Sequence, residues 1–193
     1  MSDVVVPAVA PIHLDTASLE AGLDEIRRSP TERGTLELIV RRPEIDRREI
    51  LDEAELSTTE GVVGDTWLVR GSGRTSDGSA HPDMQLNVIN ARLSRLVGGD
   101  DDDVPALAGD QLHVDLDISH DNVPAGTQLA IGQAVIEVTE QPHTGCPKFA
   151  ARFGNEALRF VNVGAGKQLR LRGLNARVVV PGTIRRGDII TKL

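Results

Sequence analysis

From residue 34 onward the chain is written in short runs where apolar and polar positions alternate or β-branched residues cluster. The runs are TLELIVRR (35–42), DTWLVRG (65–71), MQLNVIN (84–90), QLHVDLDI (111–118), TQLAIGQAVIEVT (127–139), KQLRLRG (167–173), ARVVVPG (176–182) and DIITK (188–192). Gly, Pro, Asn and Asp punctuate them, so the pattern predicts about eight strands. Gly132-Gln133 divides one run as a tight hairpin turn would. No helices of 10 to 15 residues separate the strands, which argues against a parallel α/β sheet and for an all-β fold, a closed or partly closed antiparallel barrel. Helical spacing appears in three places. Leu19, Leu23 and Ile26 share a face in TASLEAGLDEIRR (16–28), with Thr16 as a start signal and Ser29-Pro30 as a break. Leu93, Leu96 and Val97 do so in NARLSRLVGG (90–99), and Gly154 splits PKFAARFGNEALRFVN (147–162) into two short helices. Residues 1–33 therefore read as an N-terminal extension with a short helix, and 34–193 as one domain.

Composition narrows the function. The chain has 193 residues, 39% of them hydrophobic, enough for a real core. Aromatic content of 2% removes the stacking platforms of single-stranded nucleic-acid binders, and a net charge of -8 has the wrong sign for a phosphate-backbone binder. The uncharged stretch at 4–12 is broken by Pro7 and Pro11 and is far short of the roughly 20 residues that span a bilayer; no basic segment precedes it, so neither a signal peptide nor a membrane anchor is expected. A single cysteine excludes an internal disulfide and fits a reducing, cytoplasmic home. Charge is uneven: residues 1–140 hold 11 Lys/Arg against 27 Asp/Glu, while 141–193 hold 10 against 2. A basic segment on an acidic body suits a small anionic ligand, because a long polyanion would be repelled by the rest of the surface.

The residues with chemical potential centre on EQPHTGCPKFAARFG (140–154). Pro147 suits the first turn of a helix, which places Cys146 at the N-cap, facing free amides and the positive end of the helix dipole. Lys148 and Arg152 are i and i+4 on that helix, and His143 lies three residues upstream as a hydrogen-bond partner or base. All of these favour the thiolate, the form that binds soft metals or attacks sulfur. The alternative is that Cys146 packs as a small hydrophobe. A lone His-x-x-Cys pair is a weak zinc signal, since a structural site takes four ligands. Elsewhere, Arg70, Arg74 and His81 bracket the loop at 71–83 and could close over an anion, whereas Asp100 to Asp103 lack the spacing of a calcium loop and read as a solvated turn. Arg170, Arg172, Arg177 and Arg185 either converge with Lys148 and Arg152 on one cavity or face water along their strands. Trp67 reads as core, and Gly64-Asp65 and Gly109-Asp110 as turns whose carboxylates satisfy backbone amides.

The segment LAGDQLHVDLDISHDNVPAGTQLAIGQAVIEVTEQPHTGCPKFAARFG (107–154) resembles the MOSC domain, named for the C-terminal domain of molybdenum cofactor sulfurases. The shared scheme is a Gly-Asp-x-Leu strand, an Asn before a Gly-Thr-x-Leu-x-Ile-Gly hairpin, a strand ending in Pro, and a cysteine followed by a basic, apolar helix. EGVVGDTW and MQLNVIN look like the family's upstream strands, extending the resemblance over roughly 34–192. The resemblance implies a barrel-like fold that handles the molybdenum cofactor (molybdopterin) or activated sulfur, with Cys146 as the molybdenum ligand or sulfur carrier and His143 beside it. Lys148, Arg152, Arg70, Arg74, Arg170 and Arg172 are then the candidates for holding the anionic cofactor. It also implies a separate electron-donor or sulfur-donor protein as partner, since this sequence has no cysteine-desulfurase-like domain and no cysteines for an iron-sulfur cluster. Gly145 stands before the cysteine where other members are expected to carry proline. The competing expectation is a non-catalytic β-barrel that binds a small anion and keeps its cysteine for packing.

Overall fold

A computed structural model describes residues 11–193; residues 4–10 of the uncharged stretch lie outside them. Seven strands close on themselves. In order around the wall they are β1 (Arg33–Arg41), β11 (Ile189–Lys192), β7 (Gln128–Ile131), β8 (Ala134–Val138), β9 (Leu174–Val180), β5 (Leu86–Asn90) and β6 (Leu112–Asp115), with β6 returning to β1. Neighbours run antiparallel except β5 and β6, which are parallel and joined by helices α4 (Ala91–Gly98) and α5 (Asp103–Ala106). A parallel pair needs such a crossover, because a hairpin cannot connect strands running the same way. The short strand β2 (Glu49–Leu51) pairs antiparallel with the end of β1, and β3 (Glu53–Ser57), β4 (Gly61–Val62) and β10 (Gly182–Arg185) form a small second sheet.

Alternation sets the inside of the barrel. Leu36, Val88, Val114, Leu129, Ile136, Ala176 and Ile190 meet in one buried cluster, to which the small sheet adds Ala54, Leu56, Val62 and Ile184. In β1 the register shifts between Leu36 and Leu38, so Leu36 and Ile39 both face the barrel while Leu38 and Val40 join Ala106 outside. A bulge does this by adding one residue to one strand, which switches the face presented by the residues after it. A second cluster lies outside the wall, where Ile89 and α4 meet α6 (Pro147–Phe153) and α7 (Asn155–Asn162) through Leu93, Val97, Phe149, Phe153 and Val161. Leu19 and Ile26 belong to it too.

The strand and hairpin expectations hold for β1, β5 to β9 and β11, including the Gly132-Gln133 turn. Two segments expected as strands are not: one is helical and the other largely turn. In 65–71, Asp65 accepts a hydrogen bond from the Trp67 amide at 2.9 Å and turns the chain into α3 (Trp67–Arg70), with Trp67 buried as expected. In 167–173, Leu169 and Leu171 alternate in sequence but both reach the helical cluster, and Arg170 between them is left-handed at φ 49°, which no strand allows. The first helix is two: α1 (Thr16–Ala21), capped by Asp15 and not by Thr16, and α2 (Leu23–Arg27). They meet at Gly22, where a Cβ would stand 2.6 Å from Leu96. The pattern does not predict β2, β3, β4 or β10, of which β2 and β4 span only three and two residues. Among the described residues no helix is long and apolar enough to cross a membrane.

Candidate functional site

Cys146 occupies the N-cap of α6 in extended conformation, with Pro147 in the first turn, as the sequence predicts. Its side chain makes no capping hydrogen bond and is exposed, so it does not serve as core packing. The turn before it is held from α7: the Gly145 amide donates to Asn162 Oδ1 at 2.9 Å, and Asn162 Nδ2 donates back to the Gly145 carbonyl at 3.3 Å. A Cβ at residue 145 would lie 2.6 Å from Leu158 and 3.0 Å from Asn162 Nδ2, so packing accounts for glycine at this position.

The cysteine opens onto a cavity of about 300 Å³ whose lining is rich in cations: Arg42, Arg48, Arg70, Lys148, Arg152 and Arg172. Lys148 and Arg152, one turn apart, both reach Asp46 Oδ1, at 3.1 and 3.3 Å. Arg172 is buried, donates to both oxygens of Asp110 at 2.7 and 2.8 Å and to the Ala108 carbonyl at 3.1 Å, and lies 5.0 Å above the Phe149 ring. Arg42 makes the matching contact with Asp65, at 2.8 and 2.9 Å, and adds Asn87 and the Gly109 carbonyl. Each Gly-Asp pair therefore anchors an arginine. The backbone role expected of Asp65 is real as well, since it accepts from the amides of Arg42 and Trp67, but Asp110 makes its hydrogen bonds to a guanidinium.

Arg48 is different. It is 7% exposed and has no carboxylate within ion-pairing distance; Nη1 donates to the Arg47 carbonyl at 2.6 Å, and Nε is buried with no partner. Burial, reinforced by Arg152 and Arg42 nearby, lowers its pKa to about 10. A cation left this way is costly, and the cost falls when an anion enters. His143 also lines the cavity. Its Nδ1 is 3.4 Å from Asp110 Oδ1 and finds no hydrogen-bond partner, and it is not hydrogen-bonded to Cys146. Burial, then Arg172 and Arg42, hold its pKa well below the ordinary histidine value, so the ring is neutral at neutral pH.

Of the basic residues singled out from sequence, the fold brings Lys148, Arg152, Arg172 and Arg70 to this cavity. Arg170 lies in a neighbouring cavity, and Arg74 sits outside both on the 71–83 loop, 3.5 Å from Gln141. Arg177 pairs with Asp83 and Glu137, and Arg185 with Glu53, so neither joins. His81 accepts from the Asp83 amide at the start of a short 3-10 turn. Sequence reasoning missed Arg42, Arg48 and Asn87. The doublets Arg41-Arg42 and Arg47-Arg48, standing in the acidic part of the chain around Pro43, were the available signal. The described residues contain no group of three or more His, Cys, Asp or Glu able to hold a metal. A metal at Cys146 would find at most two such protein ligands and take its other donors from the molecule that brings it.

The chain is similar in fold to YuaD from Bacillus subtilis, with a TM-score of 0.57 at 15% identity, covering 82% of this chain and 94% of that one. It is also similar to YiiM from Escherichia coli, with a TM-score of 0.52 at 19% identity, covering 82% and 69%. No curated protein sequence matches. The family model for the MOSC domain matches residues 73–191, well over half the chain and inclusive of Cys146, Asp110 and Arg172, and the chain belongs to the MOSC domain family.

Proposed function

We propose that the cleft binds the molybdenum cofactor, with Cys146 as the single protein ligand to molybdenum and the arginines as the seat of the pterin phosphate. The observation that carries this reading is Arg48, a buried guanidinium without a carboxylate, set among Arg42 and Arg152 in the cavity that Cys146 overlooks. A soft thiolate suits molybdenum, and guanidinium groups suit phosphate because they donate in a planar fork. The cofactor would supply the redox-active metal. The protein's own residues bind and orient: Arg48 and Arg152 attract the phosphate, Asp110 holds Arg172 rigid, and neutral His143 offers one ring nitrogen to accept or donate a proton beside the cleft. The protein then acts as an oxidoreductase component whose electrons come from another protein.

The exposed thiol favours a second reading, a sulfur or cofactor carrier. There the Cys146 thiolate attacks the outer sulfur of a donor protein's persulfide, a new S–S bond forms on Cys146, and the donor thiolate leaves. Purification from a host able to make the cofactor tests both. Under the first reading wild type carries molybdenum and a pterin that oxidises to a fluorescent product, and Cys146→Ser loses the metal while keeping its circular dichroism spectrum, because serine is a good N-cap. A persulfide on Cys146 without molybdenum supports the carrier. If neither is found and Cys146→Ser unfolds the protein, both readings fail and the cysteine is structural.

A further inference from the structure

Behind His143 lies a second and larger cavity, of about 400 Å³, which shares His143 and Arg172 with the cysteine cleft as a common wall. We propose that it binds a small organic anion, a carboxylate or phosphate ester with an apolar body, through Arg170 and Lys167. Three observations converge. First, of the three Lys and Arg side chains that line it only Arg172 is paired with an acid; Arg170 and Lys167 have no carboxylate within ion-pairing distance, and the one acid lining the cavity is the exposed Glu140. Secondly, Arg170 is held at φ 49°, a conformation unfavourable for any residue with a Cβ. Its guanidinium makes one hydrogen bond, from Nη1 to the Val123 carbonyl at 2.7 Å, which leaves its other donors for a ligand. Strain and an unpaired charge at one residue lower stability, and such breaches of local rules gather at functional positions.

Thirdly, the walls are of two kinds. Val161, Leu174 and Pro142 give an apolar side, while Lys167 and Arg170 give a cationic one, with His120 beside them as a neutral hydrogen-bonding group whose pKa burial and Arg170 lower. An inorganic oxyanion would use only half of this surface; a molecule with an anionic head and an apolar body uses all of it. A ligand seated here would share His143 and Arg172 with the cysteine cleft. The inference stands whatever Cys146 carries, because none of its three observations involves the thiol.

Calorimetric titration with phenyl phosphate, benzoate and inorganic phosphate tests it, with side-chain nitrogen NMR of the histidines to locate binding. Saturable binding of phenyl phosphate or benzoate is expected, stronger than that of inorganic phosphate and accompanied by shifts at His120. Arg170→Gln and Lys167→Gln should each weaken it about tenfold, as the loss of one charge-assisted contact does. Arg48→Gln should leave it within about twofold, since Arg48 lines the cysteine cleft and not this cavity. Lys167 is exposed, so its variant guards against a fold defect in Arg170→Gln. No saturable binding of any probe overturns the proposal. Binding lost in Arg48→Gln but kept in both other variants also overturns it, placing the anion in the cysteine cleft, and equal affinity for all three probes removes the apolar body.

Discussion

Under the proposed reading, Arg48 trades stability for anion binding. Its guanidinium is buried beside Arg42 and Arg152 with Nε unpartnered and no carboxylate within ion-pairing distance, so Asp46 and Asp65 offset its charge only in part. Replacing it with glutamine removes that charge and retains polar reach. Arg48→Gln should therefore raise the stability of the ligand-free protein by about 1 kcal/mol in urea unfolding while reducing its molybdenum content on purification. Loss of stability together with full molybdenum loading would show that Arg48 is a structural residue. His143 makes the complementary case: a ring kept neutral by burial beside two arginines is suited to exchange a proton but unsuited to hold an anion by charge.

The helix that carries Cys146 depends on its neighbour α7. Asn162 clamps the Gly145 peptide by both its amide and its carbonyl, and this fixes the approach of the chain to the N-cap. Asn162→Ala should cost about 1–2 kcal/mol in thermal or urea unfolding, the usual loss for partly buried hydrogen bonds, and should change the rate at which Cys146 reacts with a thiol probe. Gly145→Ala should be more severe for the site, because its Cβ meets Leu158 at 2.6 Å and the turn must move. If either variant labels Cys146 at the wild-type rate, the clamp does not position the thiol.

For the molecule as a whole, buried histidines couple stability to pH. His113 sits on β6 beneath α4, 3.0 Å from Ser94, and burial lowers its pKa to about 3; His143 is lowered as well. Both are neutral in the folded protein near neutral pH, whereas in the unfolded chain they gain protons below about 6.5. The unfolded state thus binds more protons as pH falls from 6.5 toward 3, and their contribution to stability, complete above 6.5, is lost across that window. Urea unfolding should show a loss of about 1 kcal/mol per histidine by pH 5.5, and His113→Gln should remove about half of the pH slope. An unchanged slope in that variant would assign the pH dependence to other groups.

Much of this was legible in the chain. Period-two alternation with Gly and Pro punctuation determines barrel strands such as β7 and β8, because a strand that buries one face must alternate. Pro147 placed Cys146 at a helix N-cap, and i, i+4 spacing placed Lys148 and Arg152 together, because these are local properties of the backbone. The tertiary structure decided what depends on distant partners. Leu169 and Leu171 alternate as in a strand, yet both are drawn into the helical cluster. Asp65 and Asp110 looked like turn residues, and only the fold brings Arg42 and Arg172 to them across 23 and 62 positions of sequence. The basic character of the cleft comes as much from Arg42, Arg48 and Arg70, in the acidic part of the chain, as from its basic end, because the charge at a site depends on which side chains meet there in space.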